Sequence, residues 1–126
     1  MKLLRVTFAV CAVLAIAAGL LVAQNNYSAP TSIMHVVTVK WKADSTPEQR
    51  KAALDGVEKM AAEIPGITRV WIKATKVQPS SFQDAFVIEF ADKAAADRYV
   101  DHPAHRAWEK IYFPIREQSV SHQITN

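Results

Sequence analysis

The chain has 126 residues, half of them apolar, which suits one domain around one core and leaves no material for a second. Its formal charge of +3 owes much to Lys2 and Arg5; beyond residue 23, 13 of the 15 basic residues face all 12 acidic ones, a net charge of +1. No basic stretch interleaves with aromatics, which leaves nucleic-acid binding without an electrostatic footprint, and three glycines make no phosphate-binding loop, so no cofactor is expected.

Residues 1–23 open with the basic "MKLLR" and continue with "VTFAVCAVLAIAAGLLVA", 18 residues without a charge. This is the pattern of a secretory signal. Cleavage is expected after Ala23, with Ala17 as a weaker alternative, and the run is also long enough to remain as an uncleaved anchor. Either outcome places the domain outside the cytoplasm, periplasmic, secreted or held at the membrane through this segment alone. The one cysteine, Cys11, lies inside the signal, so the exported domain has no disulfide. Residues 24–32, "QNNYSAPTS", read as a linker. "NYS" at Asn26 matches a glycosylation acceptor, a short and weakly specific signal.

The domain proper spans residues 33–126. "MHVVTVKWK", residues 34–42, alternates as a strand, with His35, Val37, Val39 and Trp41 toward the core and Val36, Thr38 and Lys40 on the other face. A helix follows, started by a Ser45 and Glu48 capping box or by Thr46 with Pro47 in the first turn. Its apolar stripe is Ala53, Leu54, Val57, Met60, Ala61 and Ile64, and Pro65-Gly66 ends it. Residues 67–78 and 84–91 read as two strands of a hairpin, with Phe86, Ile88 and Phe90 on one face. Asp92 caps a short alanine-rich helix. Pro103 begins a third helix that runs to about Phe113. Residues 118–125 alternate Val120, His122 and Ile124 against serines and glutamine, the pattern of a half-buried strand.

Strand, helix, strand, strand, helix pair, strand is the order of an α+β fold: a ferredoxin-like, four-stranded antiparallel sheet with helices on one face. The other face, carrying Val36, Thr38 and Trp71, calls for a cover, and a homodimer with sheets face to face supplies one.

"HVVTVKWK", "TPEQ", "IPGI" and "FVIEFADKAAADRYVDHPAH" together resemble the stress-responsive dimeric α/β-barrel family, over residues 34 to about 125. The most specific part is "YxxHPAH" at Tyr99 to His105, supported by His35 on the first strand. The resemblance implies a homodimer of ferredoxin-like subunits forming a barrel. Some plant relatives are polyketide cyclases, in which a histidine at the place of His105 and a tyrosine at the place of Tyr99 carry acid–base work. Asp84 and Phe86 stand where a cyclase-like pocket has another polar ring.

The residues allow the same chemistry on their own terms. An imidazole at His105 titrates near neutral pH and serves as a general base, and a phenol at Tyr99 donates to a developing enolate. Pro103 sets the rotation of its helix so that His105 turns inward beside Tyr99 and within reach of His35. His35, Trp41 and Trp108 are candidates to line a pocket for a small apolar or aromatic molecule. Each of these residues also has a plain structural reading, as a satisfied core or interface side chain. His102 is expected to cap its helix, and His122 has no chemical partner. His102 and His105 lack the cysteine, the "HExxH" and the Glu-x-x-His pairing of metal sites, so no metal is expected. Ligand binding, acid–base catalysis and a purely structural dimer all remain open at this stage.

Overall fold

The computed structural model describes residues 27–126. The signal expected at 1–23, the start of the linker and Asn26 lie outside the described residues. Residues 27–32 carry no regular structure. The elements are β1 (Ile33–Trp41), α1 (Pro47–Glu63), β2 (Ile67–Trp71), β3 (Asp84–Phe90), α2 (Lys93–Tyr99), α3 (Pro103–Tyr112) and β4 (Arg116–Ile124). The four strands form one antiparallel sheet in the order β2-β3-β1-β4.

Strand alternation sorts the sheet into two faces. Toward the helices point Val37, Val39 and Trp41 of β1 and Phe86, Ile88 and Phe90 of β3, all buried. They pack against Ala53, Val57 and Met60 of α1, and against Trp108 and Tyr112 of α3. Toward the other face point Val36, opposite Val87 and His122, and Thr38, opposite Val120. Trp71, opposite Val87, shares this face. Trp71, Val120 and Ile124 are exposed there, at 44%, 38% and 55%.

Thr46, not Ser45, caps α1. Its hydroxyl accepts from the Gln49 N–H at 3.2 Å, and the Gln49 side chain accepts from the Thr46 N–H at 2.8 Å, a complete capping box with Pro47 in the first turn. Ser45 instead ties the preceding corner, donating to the Lys42 carbonyl and accepting from Arg50. At the far end Gly66 has φ +93°, and a Cβ there would lie 2.5 Å from the Cβ of Ala95. Backbone conformation and close packing both require glycine at this position.

Two expectations change. β2 ends at Trp71 rather than residue 78: Ile72 still packs on the core, but the ladder to β3 stops, and residues 72–83 form the connection. β4 starts earlier than expected, at Arg116, and its Val120 and Ile124 are exposed rather than half-buried within one protomer. β4 is an edge strand, and both of its faces reach past the helices.

The open face also holds a buried carboxylate. Glu89 receives a two-pronged contact from Arg69, a 2.6 Å hydrogen bond from Ser32 and a 3.1 Å bond from Thr68. The Arg69 hydrogen bonds first, then Ser32, hold its carboxyl down at about 2. A lowered carboxylate stabilises the fold above its ordinary value near 4.5 and loses that contribution as pH falls toward about 2. Urea titrations of Glu89→Gln and the unsubstituted protein should therefore differ at neutral pH and converge over this window. Arg69 is mostly exposed, so the difference should also shrink with salt. A gap that persists unchanged at the acid end would mean that the carboxylate charge is not its source.

Candidate functional site

α2 ends at Tyr99, and the chain turns through Val100, Asp101 and His102 into α3. His102 caps α3, its Nδ1 accepting the Ala104 N–H at 3.2 Å, with Pro103 in the first turn. This start sets the helix rotation. His105, Trp108 and Tyr112 then fall on one face at spacings of three and four, and all three are buried.

Three polar rings converge where this face meets β1. The His105 ring lies 4.4 Å from Tyr99, edge to face, and the Tyr99 ring lies 5.9 Å from His35. Phe90 closes on Tyr99 from the core at 5.0 Å. The Nδ1 of His105 sits 3.0 Å from the Val100 carbonyl oxygen. A carbonyl only accepts, so Nδ1 carries the proton and Nε2 keeps its lone pair. Burial lowers the His105 pKa, opposed first by Glu109. Burial, and then the proximity of His105, lowers that of His35. Both rings are thus neutral at neutral pH. Burial, then Glu109 and Tyr112, raises the pKa of Tyr99, so its hydroxyl stays protonated. The arrangement is a neutral base, a phenol that remains a donor, and a second neutral imidazole.

Among the described residues the His35 Nδ1 is buried without a hydrogen-bond partner. The Tyr112 hydroxyl is likewise buried and unpaired, and burial raises its pKa. The cluster sits at the margin of the helix-covered core. His35 and Val37 pair with Gln123 and Ser121 of β4, whose side chains share the helix side of the sheet and are exposed.

Trp108 adjoins the cluster, its ring 5.7 Å from that of His105, and Trp41 meets Tyr112 edge-on at 5.8 Å. Trp41 donates Nε1–H to Asp84 at 2.6 Å, and its backbone N–H bonds the Gln83 side chain at 2.9 Å. Trp108 donates to the Ala53 carbonyl at 2.8 Å and stacks on Tyr112 at 4.5 Å. Both indoles spend their N–H within the protein. Trp108 also borders a groove of about 170 Å³ between α1 and α3, lined by Gly56, Met60, Ala104 and Ile111 among others. A hollow of about 560 Å³ is lined by Ile64, Pro65, Asp97, Arg98, Asp101, His102 and Pro103. Neither is lined by His35, Tyr99 or His105. His122 lies on the open sheet face opposite Val36, away from the cluster. Among the described residues no group of three or more His, Cys, Asp and Glu is placed to hold a metal ion.

Sequence reasoning missed Glu109, whose carboxylate is 3.6 Å from His105 Nδ1; its position four residues after His105 on a helix was the available signal. It also missed Gly56, where a Cβ would lie 2.7 Å from the Trp108 ring.

Several solved structures share this fold. A dimeric ferredoxin-like protein of unknown function from Thermobifida fusca is 24% identical, with a TM-score of 0.66 over 82% of this chain and 98% of that one. A family protein with a ferredoxin-like fold from Mesorhizobium loti is 27% identical, with a TM-score of 0.62 over 77% and 98%. SnoaB, a cofactor-independent oxygenase from Streptomyces nogalater, is 12% identical, with a TM-score of 0.63 over 77% and 94%. No match is found among curated proteins. The Stress responsive A/B Barrel Domain family matches residues 33–126, every strand and helix described above, and the chain belongs to that family.

Proposed function

We propose that the protein is an exported homodimer that holds a small apolar or aromatic molecule, carrying a carbonyl or hydroxyl group, against His35, Tyr99 and His105. The observation that carries this reading is the convergence of three polar rings, with His35 Nδ1 buried and unpaired among the described residues. An unpaired buried polar atom costs about 1–3 kcal/mol, a cost that a ligand's polar group would recover. Few, converging polar groups in an apolar setting are the usual make-up of a small-molecule site. Ser121 and Gln123 of β4, paired with Val37 and His35, are exposed and offer the side from which a ligand would approach. Export rests on the pattern of residues 1–23.

The test is a thermal-shift screen of the purified protein against hydroxylated and keto-substituted aromatics, with matched hydrocarbons as controls. A true ligand at about 100 times its Kd adds roughly 2.7 kcal/mol, a rise of several degrees in Tm. The rise should appear with the polar compounds only. A rise shared by the hydrocarbons, or no rise with any compound, rejects the site.

The homodimer is supported by the exposed Trp71, Val120 and Ile124 on the open sheet face and by the dimeric structural neighbours. Light scattering should give twice the chain mass at micromolar concentration, and Val36→Arg, at the centre of that face, should give a monomer. A monomeric unsubstituted protein would remove the barrel.

Acid–base catalysis is a second reading, favoured by one observation: the Val100 carbonyl leaves His105 Nε2 as a lone-pair base beside the protonated Tyr99. Its signature would be a ligand that is consumed, in the absence of any added cofactor.

A further inference from the structure

The Glu109 carboxylate lies against the His105 ring. Glu109 follows His105 by one helical turn on α3 and is only 15% exposed. One of its oxygens is 3.6 Å from His105 Nδ1, and the other is 3.1 Å from Arg106. Arg106 is in turn tied to Asp101 at 2.9 Å. At 3.6 Å the carboxylate is too distant to take the Nδ1 proton as a hydrogen bond, and that proton already points to Val100 at 3.0 Å. It is close enough to act on ring charge. We propose that Glu109 is a positioning residue that sets the proton affinity of His105, and that Arg106 tempers it by drawing the same carboxylate outward.

This inference rests on the reading of the cluster as a ligand site. The labour is divided: Val100 chooses the tautomer, and Glu109 stabilises the imidazolium formed when Nε2 accepts a proton. The groups facing His105 are His35 from β1, Tyr99 from α2, Asp101 from the turn, and Arg106 and Glu109 from α3 itself. His35 and Tyr99 are uncharged at neutral pH. Asp101 is exposed and spent on Arg106. Glu109 is therefore the anion that balances a charged His105, and Arg106 is the cation that competes for it. The pair forms a dial on the basicity of the site, built from one turn of helix.

The experiment is an NMR titration of the histidine side-chain nitrogens in the purified protein, without ligand. At neutral pH His105 should show a protonated Nδ1 and a bare Nε2. Glu109→Gln should lower the His105 midpoint by about one pH unit, since an opposite charge at this range favours the charged form. Arg106→Gln should raise it. Shifts in opposite directions are not what loosened packing would produce. An unchanged midpoint in Glu109→Gln, shifts of the same sign in both variants, or a proton on Nε2 in place of Nδ1 overturns the proposal. Should Glu109→Gln fail to fold, Arg106→Gln decides alone, because Arg106 is half exposed: a raised midpoint supports the proposal and an unchanged one overturns it. The titration is separate from the ligand screen. Opposed shifts with no ligand found would leave the dial standing and the site reading rejected; ligand binding with unmoved midpoints would do the reverse.

Discussion

Replacing Trp108 with alanine should cost about 3–5 kcal/mol of stability, the usual range for emptying a buried aromatic site. The ring is 6% exposed. It stacks on Tyr112 with planes 15° apart, meets Phe86 edge-on at 5.8 Å, and bonds the Ala53 carbonyl. It is thus the joint between α1, α3 and β3. The close approach of α1 depends on Gly56, where a Cβ would stand 2.7 Å from Trp108 Cδ1 and 3.2 Å from Nε1. The ring is held on several sides and cannot swing away freely. Gly56→Ala should therefore destabilise by about 1–3 kcal/mol through overpacking, offset by about 1 kcal/mol of better helix propensity. In a Trp108→Ala background the clash is gone and only the propensity gain is left. Gly56→Ala should then become neutral or stabilising, a change of sign that a double-mutant cycle in urea reads directly. If Gly56→Ala costs the same in both backgrounds, the contact with Trp108 is not what keeps glycine there.

This joint marks a limit of what patterns disclose. The stripe Ala53, Val57, Met60 was legible because apolar residues repeat every three or four positions. Gly56 lies beside that stripe and contributes only the absence of a side chain, which has no periodicity to detect. Strand alternation made β1 and β3 legible for the same reason, down to the faces of Val37, Val39, Phe86 and Ile88. It failed at residues 72–78, where branched residues continue but the partner strand does not; composition records preference for a strand, and pairing is settled by what lies alongside. β4 misled in another way. Val120 and Ile124 carry the alternation of a buried face, yet they are exposed among the described residues; alternation records an apolar face and not what covers it.

The placement of the candidate residues was legible. Pro103 and the His102 cap set the helix rotation, and from that rotation the inward turn of His105 beside Tyr99 follows from spacing alone. The tautomer was not, since it depends on the Val100 carbonyl reaching 3.0 Å across the turn, a backbone contact that no side-chain pattern encodes. Nor were the neighbours of the two tryptophans: the Trp108 ring lies 5.7 Å from His105, and Trp41 meets Tyr112 edge-on at 5.8 Å. Trp108 donates its N–H to the Ala53 carbonyl of α1, and Trp41 donates its own to Asp84.

Tyr99→Phe should separate binding from packing more sharply than any change at His105. His105→Ala removes a buried ring and leaves the Val100 carbonyl without its 3.0 Å partner, so a stability loss of about 1–3 kcal/mol is expected whatever the site does. Tyr99→Phe removes one oxygen and keeps the ring that packs on Phe90 at 5.0 Å and on His105 at 4.4 Å. The hydroxyl is not among the buried unpaired atoms, and its loss leaves both ring contacts in place. Stability should therefore change by less than about 1 kcal/mol. Ligand affinity should fall by about tenfold or more, which is 1.4 kcal/mol, the contribution of one hydrogen bond donated to the ligand's oxygen. Calorimetric titration of both proteins with a compound from the thermal-shift screen, beside their urea curves, checks the pair of outcomes. A phenylalanine variant that is as stable as the original and binds as tightly would make Tyr99 a packing residue, and would leave His35 and His105 as the only polar contacts of the cluster.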